Sequence, residues 1–179
     1  MTENNQFDYT VTKKVEGKYK TNRILMIIGY VIFATVYFFG LAAIHMYPLM
    51  ALIIFFEWMF IFLTWRYVSI EYKYETVSGN IKFYNVYGGK KKKLVLDMRI
   101  RDFKSIVPLN EENKKRIEEQ SFEKTYSFVR SDRDDTDKYY ATFDDSNGDK
   151  CIVYFEATQA ALKIFKFYNS STQITDTRY

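Results

Sequence analysis

Two apolar runs dominate the first third of the chain, Ile24–Tyr47 and Leu49–Val68, separated by Pro48. Neither run contains Lys or Asp, Glu57 is their one carboxylate, and Arg66, near the end of the second run, is their one basic residue. A bilayer core of about 30 Å takes about 20 apolar residues in a helix. The pattern therefore predicts a transmembrane helical hairpin over 24–68, with helices at 24–47 and 49–68. Pro48 suits the first turn of a helix better than its interior, which makes the connection only a few residues long. On the first helix Gly29, Phe33, Val36, Gly40 and Ile44 share one face. Gly29 and Gly40 there predict close helix packing.

After Val68 the period changes from helical to alternating. Ile70, Tyr72 and Tyr74 alternate with Glu71, Lys73 and Glu75. Further strands are expected at Ile81–Tyr87, Leu94–Ile100, Phe103–Leu109, Ser121–Arg130, Lys138–Phe143 and Lys150–Phe155. Turns at Ser78-Gly79-Asn80, Gly88-Gly89 and Asn147-Gly148 punctuate them. Residues 110–120 are almost wholly charged or amide-bearing and read as an exposed loop or short helix. Ala161, Leu162, Phe165 and Tyr168 share one face of a helix over Ala157–Asn169.

Four segments follow: a basic N-terminal arm at 1–23, the hairpin at 24–68, a β domain with its helix at 69–169, and a polar, frayed tail at 170–179. The arm is expected to be loosely ordered or a short interfacial helix. The fold class is α+β. Seven antiparallel strands closed by one C-terminal helix match a pleckstrin-homology-like (PH-like) barrel or sandwich.

Charge adds orientation. Lys18, Lys20 and Arg23 precede the hairpin, Arg66 stands at its C-terminal end, Lys73 follows it, and its turn has no Lys or Arg. The positive-inside rule then predicts a two-pass protein of the cell membrane with both termini in the cytoplasm. Residues 1–23 carry five Lys/Arg against three Asp/Glu, and residues 66–179 twenty-one against eighteen. That balance is too even to predict nucleic-acid binding.

The chemistry on offer is sparse. The chain has one Cys, Cys151, and one His, His45, so neither a disulfide framework nor a Cys/His zinc site can form within it. No catalytic set, metal site or cofactor is expected, and the chain reads as a non-enzyme. Asp132, Asp134, Asp135 and Asp137 lack EF-hand spacing and read as a solvated acidic loop. Cys151 begins an apolar strand and reads as a small buried hydrophobe. Glu57 stands out because a carboxylate amid a membrane helix costs a few kcal/mol unless protonated or paired. A hairpin turning at Tyr47-Pro48 puts it level with Tyr37, which predicts a Tyr37–Glu57 hydrogen bond. His45 reads as an interfacial polar residue beside the turn. Lys90, Lys91, Lys92 and Lys93 form the densest positive patch. They read either as a contact for anionic lipid headgroups or as a solvated turn that blocks edge-to-edge aggregation.

A resemblance rests on Glu71-Tyr72-Lys73-Tyr74, Gly79-Asn80, the run Gly88 to Leu94, Asp97 to Asp102, Val107-Pro108 and Val153 to Ala157. In their order and spacing the chain resembles a family of small uncharacterised bacterial membrane proteins with two transmembrane helices followed by a PH-like domain. Here Glu156-Ala157 stands where that family is expected to have Glu-Pro. The resemblance implies an architecture and no catalytic residues. Two functions remain open. One is a membrane-anchored interaction module that presents a PH-like domain to a protein partner or to the membrane surface. The other is an oligomeric transport, channel or accessory subunit that self-associates through the hairpin and uses Glu57. The expected partners are the lipid bilayer, anionic lipids and a protein.

Overall fold

In the computed structural model, residues 6–13, 15, 17–130 and 137–175 are described. The acidic residues Asp132, Asp134 and Asp135, and Lys14 of the arm, lie outside them.

The first element is a strand, β1 (Gln6–Thr12). Two long helical stretches follow: α1 (Gly17–Ala43), then α2 (Tyr47–Met50) and α3 (Ile53–Trp65), ending in a 3-10 turn at Arg66–Val68. The strands after them are β2 (Ile70–Val77), β3 (Asn80–Tyr87), β4 (Lys91–Arg99), β5 (Ser105–Pro108), β6 (Lys124–Phe128), β7 (Lys138–Asp144) and β8 (Lys150–Glu156). Helix α4 (Glu111–Glu118) lies between β5 and β6, and α5 (Gln159–Tyr168) follows β8. The chain divides into two units: residues 14–70 with 87–91, and the remainder.

The β unit is a pair of four-stranded sheets, ordered β1-β2-β3-β4 and β5-β7-β8-β6. It corrects the expected layout in three ways. Among the described residues there are eight strands rather than seven, the sheets do not close into a barrel, and β6 runs parallel to β8. The added strand is β1. Residues 6–12 form a ladder rather than a loose arm, pairing antiparallel with β2 from Gln6↔Val77 to Thr12↔Glu71. Alternation explains it: Phe7, Tyr9 and Val11 turn to the core, and Asp8, Thr10 and Thr12 turn outward. Val11 is 2% exposed, and the Phe7 and Tyr9 rings pack 6.0 and 5.5 Å from that of Tyr74. The helical hairpin is thus inserted between two paired strands of one sheet.

Between the sheets the core is aromatic. Phe83 stacks on Phe128 at 4.8 Å, and Phe155 meets Phe83, Tyr74 and Phe165. Helix α5 is capped by Thr158, whose side chain accepts the Ala161 N–H, and it buries Ala161, Leu162 and Phe165. Ala157 itself precedes the helix. Buried Asn169 ends it and donates through Nδ2 to the carbonyls of Ile100 (3.0 Å) and Phe103 (2.7 Å). The tail does not fray at Ser170. Thr172 is buried and bridges Ile106, and the Gln173 N–H donates to the Ile106 carbonyl at 2.9 Å.

The second sheet has a small core on its outer face too. Val107, Tyr140 and Ile152 are buried there with Leu109, Ile117, Phe122 and Tyr154 against them. Ile117 comes from α4, a helix capped by Asn110, whose side chain accepts the Asn113 N–H at 2.8 Å. The charged run 110–120 is therefore helical over 111–118 and covers β7 and β8 with its few non-charged side chains.

Candidate functional site

Buried and half-buried positions on α1 recur at Tyr19, Arg23, Met26, Tyr30, Ala34, Tyr37 and Leu41. That helical spacing forms one stripe, and it packs on α3. The Phe33 ring stacks on Phe60 at 5.5 Å, Tyr37 lies 6.1 Å from Phe56, and Tyr30 meets Phe60 edge-on. The Tyr30 hydroxyl donates to Thr64 Oγ1 at 2.7 Å, because the Thr64 proton goes to the Phe60 carbonyl at 2.6 Å. This inter-helix bond was not anticipated; Thr64 in an apolar run is its one sequence signal.

Of the expected glycine face, Phe33 meets α3 but the two glycines do not. A Cβ placed on Gly29 or Gly40 would meet nothing within 4 Å. The large rings at 30, 33 and 37 fill the helix–helix space instead, which requires no small residues. Glu57 shares the inner face of α3 with Ile53, Ile61 and Thr64, all half-buried. Its Oε2 is buried and has no hydrogen-bond partner. The expected Tyr37–Glu57 bond is absent, since the Tyr37 hydroxyl donates to the Leu49 carbonyl at 3.1 Å. A Tyr carries its hydroxyl well beyond its own helical level, so a residue placed level with it is passed by. His45 adopts the left-handed conformation (φ 58°) at the turn after α1, its ring edge-on to Tyr47 at 5.9 Å.

At the other end of the helix pair, aromatic and basic residues interlock. The Arg23 guanidinium lies 4.8 Å from the Trp65 ring, and that of Arg66 5.1 Å from the Tyr67 ring. The Tyr19 hydroxyl donates to the Val68 carbonyl and accepts the Ile70 N–H at 3.2 Å. The β3–β4 turn is held at this end. The Gly88 N–H donates to the Ser69 carbonyl at 2.8 Å, and the Tyr87 ring lies 6.4 Å from Tyr67. Gly88 has φ 58°, a conformation that favours glycine, and a Cβ there would be tight against that of Arg66 at 3.0 Å.

This turn carries the lysine patch, and its four members differ. Lys90, Lys91 and Lys93 are exposed and have no ion-pair partner among the described residues. Lys92 donates to Glu75 at 2.9 Å and lies 5.7 Å from the Tyr84 ring. It belongs to a row on the outer face of the first sheet, where Lys73 pairs with Asp8 (2.6 Å) and Glu75 (3.1 Å). Lys92, then Lys73, hold the Glu75 carboxyl below its ordinary range, and the Asp8 pair raises the Lys73 ammonium well above its own.

Cys151 is buried, its thiol pushed up chiefly by that burial, and Sγ donates to the Asp149 carbonyl at 3.4 Å. Among the described residues no three His, Cys, Asp or Glu side chains gather as a metal site would need. Burial raises the Glu156 carboxyl, and the Arg130 N–H, donated to its Oε1 at 2.5 Å, offsets part of that rise.

Two stretches are long and apolar enough to cross a membrane, Tyr19–Ala43 and Tyr47–Val68. A family model described as "Bacterial PH-like domain (DUF6106)" matches residues 5–174. No curated protein and no solved structure matches the chain.

Proposed function

Since the chain belongs to the bacterial PH-like domain family, we propose that it is a membrane-anchored, non-enzymatic module. Its hairpin crosses the bilayer twice, and its PH-like domain meets the membrane surface or a protein partner on the cytoplasmic side. PH-like domains are generally non-catalytic. The observation that carries the reading is the insertion of the two apolar stretches between β1 and β2. Paired strands lie in one sheet, so the chain leaves and re-enters on the same side. The insert must then make an even number of crossings. Basic residues at both of its ends, Arg23 and Arg66, favour the cytoplasmic side.

The lipid-facing residues in this reading are Lys90, Lys91 and Lys93. Each Lys near an anionic surface contributes about 1 kcal/mol, whereas Lys92 is already neutralised by Glu75. The test uses a soluble variant in which a short Asn-Gly turn joins Thr12 to Glu71. It should co-sediment with anionic vesicles at low salt and not with neutral ones. Lys90→Ser/Lys91→Ser/Lys93→Ser should lose most of that binding, and Lys92→Ser much less. Equal losses, or no binding by the parent, would remove lipid contact from the proposal and leave the protein partner.

One observation favours the second reading, an oligomeric transport or accessory subunit. It is the buried Glu57 oxygen without a partner. Cross-linking of the full chain in membranes separates the two, because a strictly monomeric hairpin cannot enclose a pathway.

A further inference from the structure

We propose that the β2–β3 turn and the segment after β4 together form a binding site for a phosphate-type anion, with Arg99 and Arg101 as its contacting residues. A pocket of about 280 Å³ opens there, lined by Ser78, Gly79, Asn80, Arg99, Arg101 and Tyr168. Among the described residues no carboxylate lines it.

The two arginines stand on a fixed support. Ile100 between them is fully buried, and its N–H donates to the Gly79 carbonyl at 2.9 Å. Its own carbonyl accepts from buried Asn169 at 3.0 Å. Both backbone groups of Ile100 are thus bonded, which sets the direction of its two neighbours. The floor is equally constrained. Gly79 has φ 81°, and a Cβ there would come within 2.8 Å of the Tyr168 ring, so only glycine lets the turn lie against that ring.

The charge at this site is unspent. Arg99 is exposed and has no ion-pair or hydrogen-bond partner among the described residues. Arg101 has one weak contact, Nε to its neighbour Asp102 at 3.7 Å. The nearby Asp97 is paired with Lys82 at 3.4 Å. Two guanidinium groups held two residues apart repel each other, and an anion between them relieves that repulsion. Guanidinium forks match phosphate oxygens in bidentate geometry, which an ammonium does not. The pocket has room for one or two phosphate groups. It sits at the Asn80 end of β3, while the lysine turn proposed for the membrane surface follows the Tyr87 end. The two sites therefore stand or fall separately.

A phosphate-type anion can come from a soluble phosphorylated molecule or from a lipid headgroup. The experiment uses the full chain in nanodiscs of uncharged lipid. In one arm inorganic pyrophosphate is titrated by calorimetry. In the other, vesicles carrying phosphatidylinositol phosphate are tested for capture by the nanodiscs. Saturable pyrophosphate binding is expected, weakened about tenfold by Arg99→Gln and abolished by Arg99→Gln/Arg101→Gln. Arg99→Lys/Arg101→Lys should retain part of it, and Lys90→Ser/Lys91→Ser/Lys93→Ser all of it. Arginine-dependent vesicle capture without pyrophosphate binding supports the site and assigns it to a headgroup. Absence of both, or binding that the double Gln variant keeps at an unchanged melting temperature, overturns the site.

Discussion

At the scale of single residues, two carboxylates sit where water does not readily reach them. Glu156 is 8% exposed, and burial raises its carboxyl above the ordinary range. An acid whose folded pKa is raised binds its proton more tightly when folded. The stability it contributes is complete below the unfolded value near pH 4.5 and falls as pH rises toward the folded value. Glu156→Gln keeps the acceptor for the Arg130 N–H and removes that dependence. Denaturant melts should show Gln equal to the parent near pH 4 and more stable than it at pH 7. Glu57 is the other. Its Oε2 lies in the helix–helix interface without a partner. Glu57→Gln should insert and accumulate like the parent, and Glu57→Leu should ease insertion by a few kcal/mol. Membrane abundance and the phenotype of a deletion strain read both. An abundant Gln variant that fails to complement would shift the reading to transport. Glu57 as the odd carboxylate of an apolar run was legible in the sequence. Its lack of a bond to Tyr37 was not, because hydroxyl direction depends on packing rather than on helical level.

At the scale of elements, the seven strands after Val68 and the last helix were legible because alternation and turn residues mark them locally. Strand β1 was not. Phe7, Tyr9 and Val11 alternate over too short a stretch, and the partner they need lies 59 residues or more along the chain. Its contribution can be measured. The variant with Thr12 joined to Glu71 through an Asn-Gly turn should fold cooperatively, since a tight turn suits neighbouring antiparallel strands. A fragment beginning at Ser69 lacks Val11 and the rings of Phe7 and Tyr9 over Tyr74. It should be less stable by at least about 3 kcal/mol, or aggregate through the open β2 edge. Equal melts for the two would mean that β1 is an ornament to the sheet. The glycine face on α1 teaches the converse lesson. A spacing of small residues was plain in the sequence, yet Tyr30, Phe33 and Tyr37 made the contact.

At the scale of the whole molecule, the β1–β2 ladder makes topology a strong expectation. Reporters fused before Met1 and after Tyr179 should give the same sidedness, and the positive-inside rule predicts that both report cytoplasm. Opposite signals at the two ends would place β1 and β2 on different sides of a bilayer and overturn the two-pass proposal, because the two strands pair. By itself the sequence determined that two apolar stretches adjoin an alternating, turn-punctuated β domain with a closing helix. Hydrophobic period and length are local quantities, and they survive in any fold that buries them. Only the tertiary structure decided that the hairpin interrupts a sheet rather than preceding it. It alone separated Lys92, bound to Glu75, from its three free neighbours. It alone brought Arg99 and Arg101 to the turn at Gly79. Each of these depends on which distant residue lies across a strand or a turn, and pairing partners are chosen by packing of the whole chain, not by any window of it.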